Sequence, residues 1–215
     1  MTFQKYWNKM SARYNPRKEH SVRRRAGFKP VKKTFLIVCE GVNTEPEYFN
    51  AFRLTSATVK AIGKGLGTMS LVREAISVRE QEKHKGKSFN FCWVVFDKDD
   101  YPDFDEAIEL AKKNGFEVAC SNQAFELWFL LHFKKYSGKL HRREYPKLLE
   151  KHLGFPYSKQ EGFAKMLFPI LLPFQSAAIS NAEAIITETQ GIKPSLAESS
   201  TTAHNLIKKL NEYSD

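Results

Sequence analysis

Two short apolar runs, each stopping at carboxylates, organise the hydrophobic pattern of this chain. Residues 34–39 read Thr34-Phe35-Leu36-Ile37-Val38-Cys39 and end at Glu40-Gly41. Residues 91–96 read Phe91-Cys92-Trp93-Val94-Val95-Phe96 and end at Asp97-Lys98-Asp99-Asp100. Neither run alternates apolar and polar positions, which is the pattern of a parallel strand buried on both faces. Helical periodicity fills the intervals. A helix is expected from Asn43 or Thr44 as N-cap to about residue 54, with Pro46 in the first turn and Glu45 and Glu47 at the positive end of the dipole. A short strand over 57–62 and a Gly-rich loop over 63–68 follow. The helix over 69–84 carries Leu71, Val72, Ala75, Ile76 and Val78 on its apolar side. A helix over 103–114, stopped by Gly115, and a strand over 116–120 complete the series. The order β-α-β-α-β-α-β predicts a mostly parallel four-stranded sheet flanked by helices, with right-handed crossovers. Both acidic strand ends then lie at the carboxyl edge, the ligand side of such sheets.

The second half changes character. An apolar helix over 125–133, an amphipathic one over 142–153 and further helices over 177–189 and 201–213 are expected. A Pro- and Phe-rich stretch over 154–174 receives no element. The chain therefore divides into a basic N-terminal arm (1–33), an α/β core (34–122) and a C-terminal helical elaboration packed on it (123–215). No run reads as long and apolar enough to span a bilayer, because residues 166–179 are interrupted by Pro169, Pro173 and Gln175. That stretch is expected in the core or at an interface, which leaves a homo-oligomer open.

Composition narrows the class. A hydrophobic share of 42% with 17 Phe in 215 residues argues for a folded core. Cys39, Cys92 and Cys120 sit singly within strands and read as buried thiols, not as a zinc set or a disulfide framework. With no apolar leader at the N-terminus, the expectation is a cytoplasmic protein without membrane association. Charge is unevenly placed: residues 1–33 hold 11 Lys/Arg against Glu19, a net of +10 that equals the formal charge of the whole protein. Arg23, Arg24, Arg25, Lys29, Lys32 and Lys33, with Phe3, Tyr6, Trp7, Tyr14 and Phe28 interleaved in the arm, suit phosphate contact and base stacking. A solvated tail is the plain alternative.

If the two acid-bearing strands are neighbours, Glu40, Asp97 and Asp99 converge. Carboxylates so placed repel one another unless they are protonated or hold a cation, and Mg²⁺ or Mn²⁺ suits an all-oxygen site. Acids that simply face solvent at strand ends are the competing account. Lys98 should point away from the cluster, and Asp100, Asp103 and Asp105 read as solvated or supporting acids. Glu126 lies in an apolar segment where its charge needs a partner: the metal site, a Lys or Arg, or a helix N-terminus near Asn122. Glu45 either reaches toward Glu40 or caps its helix, Asn122 reads as a helix cap, and His132 as a core histidine. Lys139, His141, Arg142 and Arg143 form a basic cluster that reads more simply as a solvated helix start than as a substrate path. The 63–68 loop lacks the spacing of a nucleotide-hydrolysing P-loop.

These residues carry a family resemblance. A Glu-Gly after a hydrophobic strand and an Asp-x-Asp two βα units later resemble the Toprim fold of topoisomerases, primases and OLD-type nucleases. Glu40-Gly41-x-x-Thr44-Glu45-Pro46-x-Tyr48-Phe49, Asp97-Lys98-Asp99-Asp100 and Ser121-Asn122-x-x-Phe125-Glu126-Leu127-Trp128-Phe129-Leu130-Leu131-His132-Phe133 together look like the RloB family. Those are bacterial proteins encoded in restriction-modification and phage-defence contexts. The likeness spans roughly residues 34–210, with Thr201 and Thr202 before the last helix. It implies a Toprim-like fold, Glu40 as general acid/base or metal ligand, and Asp97 and Asp99 as Mg²⁺ (or Mn²⁺) ligands. Glu126, Glu45 and Asp100 stand in secondary places. The implied activity is metal-dependent hydrolysis of DNA or RNA in anti-phage defence, with a partner ATPase encoded nearby. The alternative is a non-catalytic nucleic-acid-binding effector subunit working with that ATPase; a phosphoryl-transfer or receiver-like domain using Asp97 ranks behind both.

Overall fold

The computed structural model describes residues 32–54, 57–99, 102–136 and 138–214. Four strands, β1 (Lys33–Cys39), β2 (Ala57–Gly63), β3 (Phe91–Lys98) and β4 (Glu117–Asn122), form one sheet in the order β2-β1-β3-β4. All three pairings are parallel. Helices α1 (Thr44–Asn50), α2 (Thr68–His84) and α3 (Phe104–Lys113) connect the strands. Helices α4 (Glu126–Leu131), α5 (Tyr145–Leu153), α6 (Phe163–Leu171), α7 (Gln175–Glu188) and α8 (Ala203–Asn211) make up the second half.

The unbroken apolar runs are explained by the two layers. Phe35, Ile37, Cys39, Trp93 and Val95 face a core shared with Tyr48 and Phe49 of α1 and with Trp128, Leu167 and Leu206 of the helical half. Leu36, Val38, Cys92, Val94 and Phe96 face the opposite core, with Leu71, Val72, Phe104 and Ile108 from α2 and α3. Each such buried side chain contributes about 1.5–3 kcal/mol, an upper-end figure relative to an extended chain. The three cysteines are free and buried, as their spacing predicts.

Several boundaries differ from expectation. Helix α1 ends at Asn50 rather than near residue 54. There the Asn50 amide bonds both the C=O and the N–H of Ala61, at 3.0 and 3.2 Å, so the chain turns to feed β2. Residues 154–174, left without an element, contain α6 and the short 3₁₀ turn Leu172–Phe174. Pro169 lies inside α6 and Pro173 in that turn, and neither breaks the helical run. As a result Phe163–Glu188 is a continuous 26-residue stretch, the one segment among the described residues long and apolar enough by length and composition to cross a membrane. Its inner side, including Ala164, Leu167, Leu171, Ala178 and Ala182, is buried in the core, while Met166, Ile170, Leu172 and Phe174 are exposed.

Residues Lys32–Asp215 form one compact unit. Arg23, Arg24, Arg25 and Lys29 lie outside the described residues. Lys32 is exposed and Lys33 already begins β1, one residue earlier than the arm was drawn.

Candidate active site at the carboxyl edge of the sheet

Strands β1 and β3 are hydrogen-bonded neighbours, with Cys39 opposite Val95. The ladder continues one residue further through Glu40 N donating to Val95 O at 2.8 Å. Glu40 Oε2 in turn accepts the Asp97 amide at 3.0 Å, so the first acid closes the end of the strand that bears the second. Asp97 Oδ2 accepts the Phe125 amide at 3.1 Å, which fixes the approach to α4. Asp99 follows the end of β3 and pairs with Arg142.

Two further acids complete the wall. Glu45, 6% exposed, turns back from α1 and accepts the Gly41 amide at 3.3 Å. Glu126, 3% exposed, forms the floor. Its Oε1 accepts the Tyr157 hydroxyl at 2.9 Å and the Lys159 ammonium at 2.5 Å. The five acids, with Arg142, Lys159 and Gln123, line a cleft of about 330 Å³.

Close packing shapes the cleft. A Cβ on Gly41 would stand 2.2 Å from Glu45 Oε2, and one on Gly63 would stand 2.2 Å from the Gly41 carbonyl. Bare backbone at both positions lets the Glu40-Gly41-Val42 turn fold down against β2. Gln123 takes φ +81°, uncommon for a residue with a side chain. Its Oε1 accepts the Arg142 amide at 2.8 Å and so brings the guanidinium to Asp99.

The electrostatics follow from crowding. Burial pushes Glu40 up to about 7, aided by the charges of Asp99 and Glu45 and opposed by the Asp97 amide and Arg142. Burial, then Glu45, Glu126 and Glu40, holds Asp97 well above the usual carboxylate range. Burial also raises Glu45, with Glu126 adding to it. For Lys159, burial disfavours the charge, but Glu126, Asp97 and Glu45 together outweigh it and the net shift is upward. The cleft is thus short of positive charge even with two cations on its walls.

Among the described residues, no three His, Cys, Asp or Glu side chains form a ready-made metal cage. Each acid already has a protein partner. Five carboxylates nevertheless make a donor set suited to a hard divalent cation. Burial raises Glu40, Glu45 and Asp97, which marks where added positive charge would be stabilised.

The outlying candidates separate. Asp100 lies outside the described residues. Asp103 stands at the N-cap of α3, and Asp105 holds the Ser195 amide and hydroxyl at 3.1 and 2.6 Å, away from the cleft. Lys98 does turn away, its ammonium bonded to the Asp99 carbonyl and 6.0 Å from the Phe104 ring centre. Asn122 is no helix cap: it ends β4, buried, and its amide meets the carbonyls of Pro194 and Ser195. Asn43 occupies the N-cap position of α1 without a side-chain cap bond, and donates instead to the Lys159 carbonyl at 3.5 Å. His132 is a core residue, with Nδ1 2.9 Å from the Trp128 carbonyl. The 63–68 loop closes back on β1, through Lys64 N to Cys39 O and Gly65 N to Glu40 O at 3.0 and 2.7 Å. Arg142 belongs to the cleft, not to a solvated helix start. Tyr157 and Lys159 had no signal in a stretch assigned no element, although Glu126 in its apolar segment announced that a cationic partner was needed.

No curated protein and no solved structure matches the chain. The sequence model of the RloB-like protein family matches residues 35–210, a span that contains every side chain of the cleft, and the chain belongs to that family.

Proposed function

We propose that the cleft is the active site of a Mg²⁺- or Mn²⁺-dependent, Toprim-type phosphodiesterase that hydrolyses DNA or RNA in anti-phage defence. The observation that carries this reading is the gathering of Glu40, Glu45, Asp97, Asp99 and Glu126 around one cleft at the carboxyl edge of a parallel sheet. Glu40, Asp97 and Asp99 would hold the cation, with Glu126 and Glu45 beside them. When bound, it supplies positive charge against the scissile phosphate and the leaving oxygen. Glu40, with a pKa of about 7, exists in both protonation states near neutrality and is suited to hold or release a proton. The Asp97 amide fixes its Oε2, which leaves Oε1 for that task. Arg142 brings a guanidinium to the cleft wall, suited to orienting a phosphate oxygen. The +10 arm would supply sequence-independent grip on nucleic acid, and a partner ATPase would supply the control that this site lacks.

A second reading, a nucleic-acid-binding effector without catalysis, draws support from the ion pairs that already occupy Asp99 and Glu126. The purified full chain, incubated with labelled single- and double-stranded DNA and RNA in Mg²⁺, Mn²⁺ or EDTA, separates the two. Metal-dependent cleavage that Asp97→Asn abolishes is the expected outcome. Cleavage that survives in Asp97→Asn would place the chemistry elsewhere, and binding without cleavage, with and without the partner ATPase, would favour the effector.

A further inference from the structure

The loop between α5 and α6 closes one side of the cleft mouth. It is bounded by Gly154 and Gly162 at φ +79° and +84°, where an added Cβ would meet nothing within 4 Å. These glycines serve the sign of φ and not a close approach. Gly162 N donates to Glu47 Oε1 at 2.6 Å and ties the loop to α1. So held, the loop aims Tyr157 and Lys159 at the same oxygen of Glu126. The two ends of that ion pair differ sharply in exposure, with 64% of the Lys159 side chain open and 4% of Glu126. The ammonium sits at the mouth and the carboxylate at the floor. A carboxylate left unpaired at that depth is strongly unfavourable. Departure of the lysine leaves Glu126 with the Tyr157 hydroxyl alone, so it is favoured when another cation or a proton takes its place.

We propose that Lys159 is an exchangeable counter-ion: a divalent cation entering the cleft takes over Glu126, and the released ammonium becomes a ligand for the substrate phosphate. The inference rests on the metal-dependent reading above and adds an order to it, with metal first and phosphate second. Lys159 is then a positioning residue while it holds Glu126, and a substrate-binding one after release.

Mn²⁺ titration of the full chain, followed by the electron paramagnetic resonance of free Mn²⁺, tests the exchange as a double-mutant cycle. Lys159→Gln keeps an amide donor for Glu126 but removes the competing charge, and should bind Mn²⁺ about tenfold more tightly than wild type. The same change in a Glu126→Gln background should alter affinity less than about threefold, because there is no shared carboxylate to compete for. Unchanged or weaker binding by Lys159→Gln, or an equal gain in both backgrounds, would overturn the exchange while leaving the metal reading intact. A wild-type chain that binds no Mn²⁺ at millimolar concentration would remove both. A variant-free measurement guards against misfolding: competitive acetylation of the wild-type chain, read by mass spectrometry. Mn²⁺ should raise the labelling of Lys159 severalfold relative to Lys208, which pairs with Glu183 outside the cleft. Equal labelling with and without Mn²⁺ would contradict the release.

Discussion

Asp97 concentrates the conflict between stability and the proposed chemistry. Its carboxylate is desolvated and surrounded by Glu40, Glu45 and Glu126, so its charge opposes folding when no cation is present. Asp97→Asn keeps an acceptor for the Phe125 amide while removing that charge. It should raise the melting temperature of the metal-free protein at pH 8 by about 2–5 °C, and lower cleavage by about 100-fold or more. A thermal melt and a cleavage assay on the same preparation check both. Glu40 makes a companion prediction in pH. Its folded-state pKa, about 7, stands above the ordinary 4.5. Its contribution to stability is therefore fully present below pH 4.5 and declines as pH rises through 7. Because the carboxyl is partly open to solvent, the effect is discounted to about 1–2 kcal/mol. His132 acts oppositely in an overlapping window: burial lowers it from 6.5 to about 4, so its contribution is lost as pH falls. The difference between wild-type and Glu40→Gln urea midpoints at pH 5 and 8 isolates the glutamate. Glu40→Gln should gain on wild type as pH rises.

The turn after β1 positions the site at the scale of elements, and its tightness is testable. Gly63→Ala would set a methyl group 2.2 Å from the Gly41 carbonyl, against backbone that cannot swing aside, and should cost about 1–3 kcal/mol in urea denaturation. Gly41→Ala meets the end of the Glu45 side chain instead, which can swing aside. It should disturb the cleft more than the fold, so cleavage falls while the urea midpoint moves little. Elements of the α/β half were legible in the sequence because a strand buried on both faces leaves an unbroken apolar run. The stop at Glu40 likewise marked the sheet edge, whereas Asp97 lies one residue inside the end of β3, opposite Ser121. The helical half was less legible. Pro169 near the end of α6 and the adjoining Leu172–Phe174 turn masked a helix whose buried face, Ala164, Leu167, Phe168 and Leu171, has ordinary helical spacing. Lys159 and Tyr157 could not be assigned without it. Their role comes from a loop held in place by Gly154, Gly162 and Glu47, not from any local pattern. Asn122 misled for a related reason: its position before α4 resembles a cap, but its side chain is claimed by tertiary packing against residues 194–195.

For the whole molecule, the division of charge makes the broadest prediction. Residues 1–31 hold nine Lys/Arg and one acid, and Lys32–Asp215 forms a compact unit without them. Deleting residues 1–31 should leave the melting temperature unchanged. The dependence of nucleic-acid affinity on salt should become shallower by roughly 0.7–0.9 in log–log slope for each phosphate that the arm no longer neutralises. Fluorescence anisotropy at 50–200 mM salt, a range of about fourfold over which phosphate neutralisation registers strongly, measures that slope. An unchanged slope would assign the arm to another partner. The central claim concerns the cleft itself: that its five carboxylates bind a divalent cation. The most direct test is an anomalous difference map from crystals of the full chain grown with Mn²⁺. The account predicts a peak within metal–oxygen bonding distance of Asp97 and Glu40 or Asp99, with the Lys159–Glu126 pair opened. A cleft without a peak, with Arg142 still on Asp99 and Lys159 still on Glu126 at saturating Mn²⁺, would contradict it.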